Sequence, residues 1–271
     1  MEDWGNMLLD LEDVEPLKAP FIWQGGKTKS LKHLMDHIPY TKVYVEPFGG
    51  SGAVLLARRA SKLEVFNDRN SGLIDFYLAL KGSRFEELME TIRYTLSSRE
   101  LFAKYQGSYI DTKDPIERAA MWFYLQQTSF AGLGRSWGRA TSHKVINANK
   151  IHKNLPDFPA IHDRLKNVQI ENLDFEKCLV DYDSPETVFY LDPPYLNTKN
   201  LYTYEWTRDD QLRLLKRIFE CEGTVILSGY TEPLNDLFPF DYTHSWEANS
   251  TIRNDDTLTH SERENIWVKQ A

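Results

Sequence analysis

The strongest chemical signal in the chain is four consecutive residues, Asp192-Pro193-Pro194-Tyr195. They follow directly on Val188-Phe189-Tyr190-Leu191, an apolar run that reads as a buried strand. Two prolines cannot continue a hydrogen-bonded ladder, so the chain must turn abruptly at the strand's C-terminal end. That edge is where open α/β sheets bind ligands. The turn aims two acceptors, the Asp192 carboxylate and the Pro193 carbonyl, into one crevice, with the Tyr195 ring beside them.

A second group points to a nucleoside. Val43 to Phe48 reads as a strand that ends in the turn Gly49-Gly50-Ser51-Gly52. Glycine turns let a backbone approach a ligand at a helix N-terminus. Gly50 and Gly52 supply the first two positions of GxGxxG, with Leu55 where the third would stand. Asp68 closes the next apolar run, eighteen residues after Gly50, a spacing that suits a carboxylate on a ribose diol. Gly26-Lys27-Thr28 invites a phosphate-loop reading. However, Phe21 stands where that loop needs a glycine, and no β-run precedes it.

Alternating strands and helices must position these groups. After Val43–Phe48 come a helix over 53–60, a strand over 63–68 and a helix over about 71–80. Strand patterns resume at 168–170, 187–191 and 224–227, with two more near Tyr242 and at 265–268. This is the pattern of βαβ units and a Rossmann-like, mostly parallel α/β sheet flanked by helices. Residues 83–165 differ: helical stretches run to Gln127 and a glycine-rich, irregular segment follows from Ala131. The expected division is an acidic arm at 1–17, a sheet domain over 18–82 and 166–271, and a mostly helical insertion at 83–165.

Charge follows the same division. The 271 residues carry a formal −8, and the first seventeen contain six acids and no base. An acidic average argues mildly against a nucleic-acid partner. Yet residues 118–156 hold six bases (Arg118, Arg135, Arg139, Lys144, Lys150, Lys153) and no acid, so the remainder carries −14. Gln126, Gln127, Ser129, Ser136, Trp137, Asn147 and Asn149 lie in the same interval, and such residues can read base edges or stack on them. The two cysteines, Cys178 and Cys221, have no metal-ligand spacing, so no metal is expected. With no membrane-length apolar run and no signal pattern, the expected setting is the cytoplasm, without a membrane partner.

Several ordered segments resemble the DNA adenine methyltransferases of the Dam type. They are Phe21-Ile22-Trp23-Gln24-Gly25-Gly26-Lys27, Tyr44 to Val54, Asn67-Asp68-Arg69-Asn70, Asn172-Leu173-Asp174-Phe175, Asp192-Pro193-Pro194-Tyr195 and Arg263-Glu264-Asn265-Ile266-Trp267. The resemblance implies S-adenosylmethionine as methyl donor and the N6 amine of a flipped-out adenine in double-stranded DNA as acceptor. It puts Trp23, Gly26 and Lys27 at the donor's methionine end and Phe48, Gly49, Gly50 and Ser51 in its glycine loop. Asp68 falls on the ribose, Asp174 and Phe175 on the adenine ring, and Asp192 between donor and target. Asp192, Pro193, Pro194 and Tyr195 are then the catalytic turn. The insertion becomes the target-recognition region, with Arg135, Ser136, Trp137, Arg139 and Lys144 as expected DNA contacts. Many members carry a Phe-Asn-x-Pro element where this chain has Ser136-Trp137-Gly138-Arg139, so the resemblance leaves the recognition sequence open. Two alternatives stand beside this reading: methylation of cytosine N4, and a catalytically inactive DNA-binding relative.

Overall fold

A computed structural model describes residues 16–138, 147–196, 206–247 and 263–271. Most of the expected acidic arm therefore lies outside the described residues. Seven strands form one sheet: β1 (Val43–Glu46), β2 (Leu63–Asn67), β3 (Val168–Glu171), β4 (Thr187–Leu191), β5 (Thr224–Tyr230), β6 (Tyr242–Glu247) and β7 (Arg263–Lys269). Their order across the sheet is β3-β2-β1-β4-β5-β7-β6. The first five run parallel, and β7 pairs antiparallel with both β5 and β6. This is the mostly parallel α/β sheet that the alternating pattern predicts.

The helices are α1 (Leu31–Leu34), α2 (Ala53–Ala57), α3 (Ser71–Lys81), α4 (Phe85–Tyr94), α5 (Arg99–Ser108), α6 (Pro115–Thr128), α7 (Asn147–Lys153), α8 (Phe158–Leu165), α9 (Phe175–Asp181) and α10 (Arg208–Glu220). They cover both faces of the sheet, which is why every residue of β4 is buried. Successive side chains of a strand point to opposite faces, and the two cores follow from that. Tyr44, Val188 and Tyr190 join one cluster with α2 to α8, whereas Val45, Phe189 and Leu191 join a second with α9 and α10.

Two departures from the sequence pattern have local causes. The helix expected over 53–60 ends at Ala57, because Arg58 turns to extended backbone and sends its guanidinium inward. That group bonds Glu64 Oε1 at 2.9 Å and lies over the Tyr44 ring, and Arg164 from α8 pairs with the same carboxylate. Among the described residues, the helices of the expected insertion also pack into the first sheet cluster. α6 is buried nearly all round, and its Phe123 ring stacks on Phe76 of α3 within the first sheet cluster. No helix among the described residues is long and apolar enough to cross a membrane.

Candidate active site

From β1 the chain runs to β2 and β3 on one side of the sheet, and β4 and β5 lie on the other. The C-terminal ends of β1 and β4 therefore flank the point where strand order reverses, and a crevice opens there. It encloses about 1360 Å³, its open mouth included. Trp23, Gly26, Lys27, Phe48, Gly49, Gly50, Ser51, Asp68, Phe175 and Asp192 all line it. Residues spread over 170 positions of sequence thus meet because the sheet brings their strand ends together.

The glycine turn after β1 is built for close approach. Gly50 sits at φ 51°, and a Cβ there would also lie 2.9 Å from the Trp23 ring. The turn is tied to β2 by Asp68, whose carboxylate accepts from Gly50 N–H at 3.0 Å and from Asn70 N–H at 2.8 Å. Burial raises the Asp68 pKa despite these donors. Asn67, fully buried, clamps two loops at once. Its side chain donates to the Pro47 and Leu173 carbonyls at 2.8 and 3.2 Å and accepts from Leu173 N–H at 2.7 Å.

An aromatic box closes the far end of the crevice. The Phe48 and Phe175 rings stack at 5.6 Å, and Trp206 approaches each, at 5.6 and 5.5 Å between centroids. Asp174, expected beside Phe175, instead caps α9 by accepting from Glu176 N–H at 3.0 Å, and Phe175 is the one of the two that lines the crevice.

At the other end lies a compact charge cluster. Lys27 is in a short 3-10 turn, Lys27–Lys29, and not in a phosphate loop. Its Nζ donates to Asp192 Oδ1 and Oδ2 at 2.7 and 2.8 Å and to Tyr195 Oη at 2.6 Å. Ser228 Oγ donates to Asp192 Oδ1 at 3.1 Å. Burial opposes the Lys27 charge, but Asp192, Tyr190 and Glu264 outweigh it and hold the ammonium protonated above its ordinary range. Burial likewise raises the Asp192 pKa, against the pull of Lys27. Glu46, at the end of β1, accepts from Tyr44 Oη at 2.8 Å, and burial pushes its carboxyl up to about 8.

The Asp192–Tyr195 turn faces two ways. Asp192 and Pro194 line the large crevice, while Pro193, Pro194 and Tyr195 line a smaller pocket with Ser228, Gly229 and Tyr230. The Tyr195 ring meets Tyr230 edge to face at 4.6 Å.

The expected DNA contacts divide. Arg135 is exposed and lies at the rim of the crevice, next to Leu133 and Gly132. Ser136 is exposed, and its carbonyl accepts from Phe130 N–H at 2.8 Å. Trp137 turns inward and packs edge to face on Phe102 at 5.7 Å, so its ring anchors the loop. Arg118, counted in the basic interval, is tied to Asp75 at 2.7 Å. Arg139 and Lys144 lie outside the described residues. Among the described residues no group of three or more His, Cys, Asp or Glu side chains is arranged to hold a metal ion.

Sequence reasoning missed Glu46, Trp206 and Glu264. Trp206 stands in a polar stretch, and its one signal is the capping box Thr207–Asp210 that it precedes. Glu264 had a clearer signal: an acid directly beside the strand pattern at 265–268 needs a partner if the strand end is buried. That partner is Lys27, 3.3 Å away.

Comparison with known proteins agrees with this arrangement. The chain is 31% identical over 233 residues to the type II methyltransferase M.MjaIII of Methanocaldococcus jannaschii, covering 73% of this chain and 78% of that protein. It is 30% identical to the type II methyltransferase M1.LlaDCHI of Lactococcus lactis subsp. cremoris, covering 84% and 87%. To the DNA adenine methylase of Escherichia coli K12 it is 27% identical, covering 71% and 72%. The D12 class N6 adenine-specific DNA methyltransferase family matches residues 23–252. A crevice at the switch point and an acidic Pro-Pro-Tyr turn on its wall thus accompany a match over most of the chain, and the chain belongs to the D12 class N6 adenine-specific DNA methyltransferases.

Proposed function

We propose that the large crevice binds S-adenosylmethionine and that the small pocket receives an adenine flipped out of double-stranded DNA. One observation carries the reading: the Asp192–Tyr195 turn is a wall common to both cavities, with Asp192 facing the first and Pro193 and Tyr195 facing the second. The crevice fits the donor's chemistry. Its carboxyl groups (Glu46, Asp68, Asp192, Asp210) suit a cation, its aromatic box suits a purine, and the Gln126 Oε1 atom on its wall is buried without a protein partner. Phe48, Phe175 and Trp206 would hold the adenine ring, Asp68 the ribose hydroxyls, and Trp23, Gly26, Gly49, Gly50 and Ser51 the methionine end. Asp174 would act through α9 and Phe175, as a positioning residue.

When bound, S-adenosylmethionine supplies a methyl group on a positively charged sulfur. This chain's residues prepare the acceptor. An exocyclic amine on adenine is a poor nucleophile, because its lone pair is delocalised into the ring. Hydrogen bonds from its two N–H groups to the Asp192 carboxylate and the Pro193 carbonyl localise that lone pair and orient it, so positioning and electrostatics supply the catalysis. Asp192 also stands ready to accept the proton that the nitrogen sheds on methylation. Tyr195 stacks on the base; such contacts are worth roughly 1–3 kcal/mol.

Residues 83–165 act as the target-recognition region, with Arg135, Ser136, Arg139 and Lys144 at the DNA and Trp137 holding the loop. A protein with a DNA substrate and two free cysteines belongs in the cytoplasm. Incubation with duplex DNA and S-adenosylmethionine, followed by nucleoside mass spectrometry, tests the whole reading. N6-methyladenine is expected; N4-methylcytosine alone, or DNA binding without any methylated product, would overturn it.

A further inference from the structure

Lys27 lies between two buried carboxylates. On one side its Nζ donates to both oxygens of Asp192, at 2.7 and 2.8 Å. On the other it lies 3.3 Å from Glu264 Oε1. The side chains of Lys27, Asp192 and Glu264 are 5%, 19% and 7% exposed, so Asp192 is the partner that opens to the crevice and Glu264 the one sealed behind it. Glu264 comes from β7, and its second oxygen is fixed by Ser30 Oγ at 2.6 Å.

This arrangement sets a problem for catalysis. An ammonium has three N–H donors. Here the two Asp192 oxygens and Tyr195 Oη lie closest, at 2.7, 2.8 and 2.6 Å, the Gly25 carbonyl follows at 3.2 Å, and Glu264 is left at 3.3 Å. A carboxylate clamped by an ammonium is a weaker acceptor for an incoming amine, because its charge is already neutralised. Lys27 therefore needs another anion close by if Asp192 is to act at full strength, and burial forbids it to stand alone.

We propose that Glu264 is a positioning residue for methyl transfer: held by Ser30, it draws the Lys27 ammonium away from Asp192 as the target amine takes its place. The proposal rests on the reading of Asp192 as acceptor for that amine. The shift needed is small, since Nζ already lies 3.3 Å from Glu264. The other groups that face the cluster are the Tyr190 and Tyr195 hydroxyls, the Ser228 hydroxyl and the Glu46 carboxyl. Of these, Glu46 is the one further carboxyl, and burial pushes it up to about 8, so at neutral pH it does not compete with Glu264 as an anion.

The test is a comparison of Glu264→Gln and Glu264→Asp with the wild type in steady-state methyl transfer across pH. For E264Q, kcat should fall about tenfold or more, with the donor KM and the DNA Kd unchanged within about twofold. The acid limb of its kcat profile should move to lower pH, because removing a negative neighbour makes Asp192 easier to ionise. E264D keeps the charge, so it should return the limb towards the wild-type position and recover part of kcat. A purely structural role would lower Tm and leave the limb in place. An E264Q limb at the wild-type pH, or a loss confined to KM, overturns the proposal. If circular dichroism shows E264Q unfolded, Ser30→Ala decides: a several-fold lower kcat at constant KM supports the proposal, and an unchanged kcat overturns it. A wild type that methylates no adenine removes the underlying reading; a methylating wild type with unaltered variants removes this proposal alone.

Discussion

Asp192 is set apart from the other acids by the demands placed on it. On the proposed reading it must stay ionised in a half-buried site, and Lys27 and Ser228 provide the hydrogen bonds that favour this. Asp192→Asn keeps the shape and removes the charge, so methyl transfer should fall by about 100-fold or more while DNA binding persists. Methyl incorporation measured beside an equilibrium DNA-binding assay checks this, and equal losses in both would refute it. Glu46 shows the opposite arrangement: it has no cation at hydrogen-bond distance, and burial lifts its carboxyl to about 8 from an ordinary 4.5. A pKa raised in the fold means that the native state binds the extra proton, so the stabilisation is complete below the ordinary value and fades as pH rises towards 8. Glu46→Gln cannot ionise, and its stability relative to wild type should therefore climb between about pH 5 and about pH 8. Urea unfolding of both proteins at several pH values measures the difference. A gap that stays constant with pH would contradict the burial argument.

At the level of elements, the site depends on how three strand ends are held together. Asn67 at the end of β2 reaches the loop after β1 through Pro47 and the loop after β3 through Leu173. Backbone pairing continues there through Gly49 N–H to the Asn67 carbonyl at 2.7 Å and Asp68 N–H to the Glu171 carbonyl at 3.4 Å, and the side chain adds to it. Asn67→Ala would leave two carbonyls and one amide N–H without this partner in a dry site. The expected cost is about 2–4 kcal/mol of stability by chemical denaturation, together with weaker donor binding, because the glycine turn and the Asp68 loop lose their common anchor. A variant with wild-type stability would show that water replaces the side chain freely. β7 plays a comparable part on the other side of the sheet. Running antiparallel beside β5, it delivers Glu264 to Lys27 and so supports the turn that follows β4.

Across the whole molecule, the acidic total hides an uneven distribution. Residues 118–156 hold six bases and no acid, while the chain as a whole carries −8. The fold spends one of those bases internally: Arg118 pairs with Asp75 on α3 and bonds the Thr112 carbonyl. Arg135 is exposed and lines the crevice, and the proposed reading brings duplex DNA to that side. DNA affinity should therefore fall with salt, with a log–log slope of about −0.9 for each phosphate neutralised. Arg135→Ala should make that slope shallower by about one unit if the side chain meets a phosphate. Salt-independent binding would place recognition elsewhere. The continuous core between α3 and α6 matters at this scale too, because it packs the described helices of residues 83–165 against the sheet instead of leaving them on a linker.

Much of this was legible before any coordinates. The strand–turn–helix alternation, the order of the motifs and the acidic Pro-Pro-Tyr turn are local properties. They follow from backbone sterics and from period-two or period-3.6 burial, which a sequence displays directly. The acidic Pro-Pro-Tyr turn, the glycine turn and Asp68 stand out on that basis, and the family resemblance implies the other expected site residues. What the sequence could not display were partnerships between distant side chains. Nothing in the Gly26-Lys27-Thr28 stretch announces that the lysine belongs to Asp192, 165 positions away, or that Glu264 waits behind it. Trp137 reads as a stacking residue on a basic loop until Phe102 is found against it. Trp206 carries no sequence signal for a site, and only its contacts with Phe48 and Phe175 place it in the box. The sequence by itself thus determined the strands, their turns and the class of chemistry. Only the tertiary structure decided which charge meets which, because Coulombic pairing and desolvation depend on distances across the fold and not on spacing along the chain.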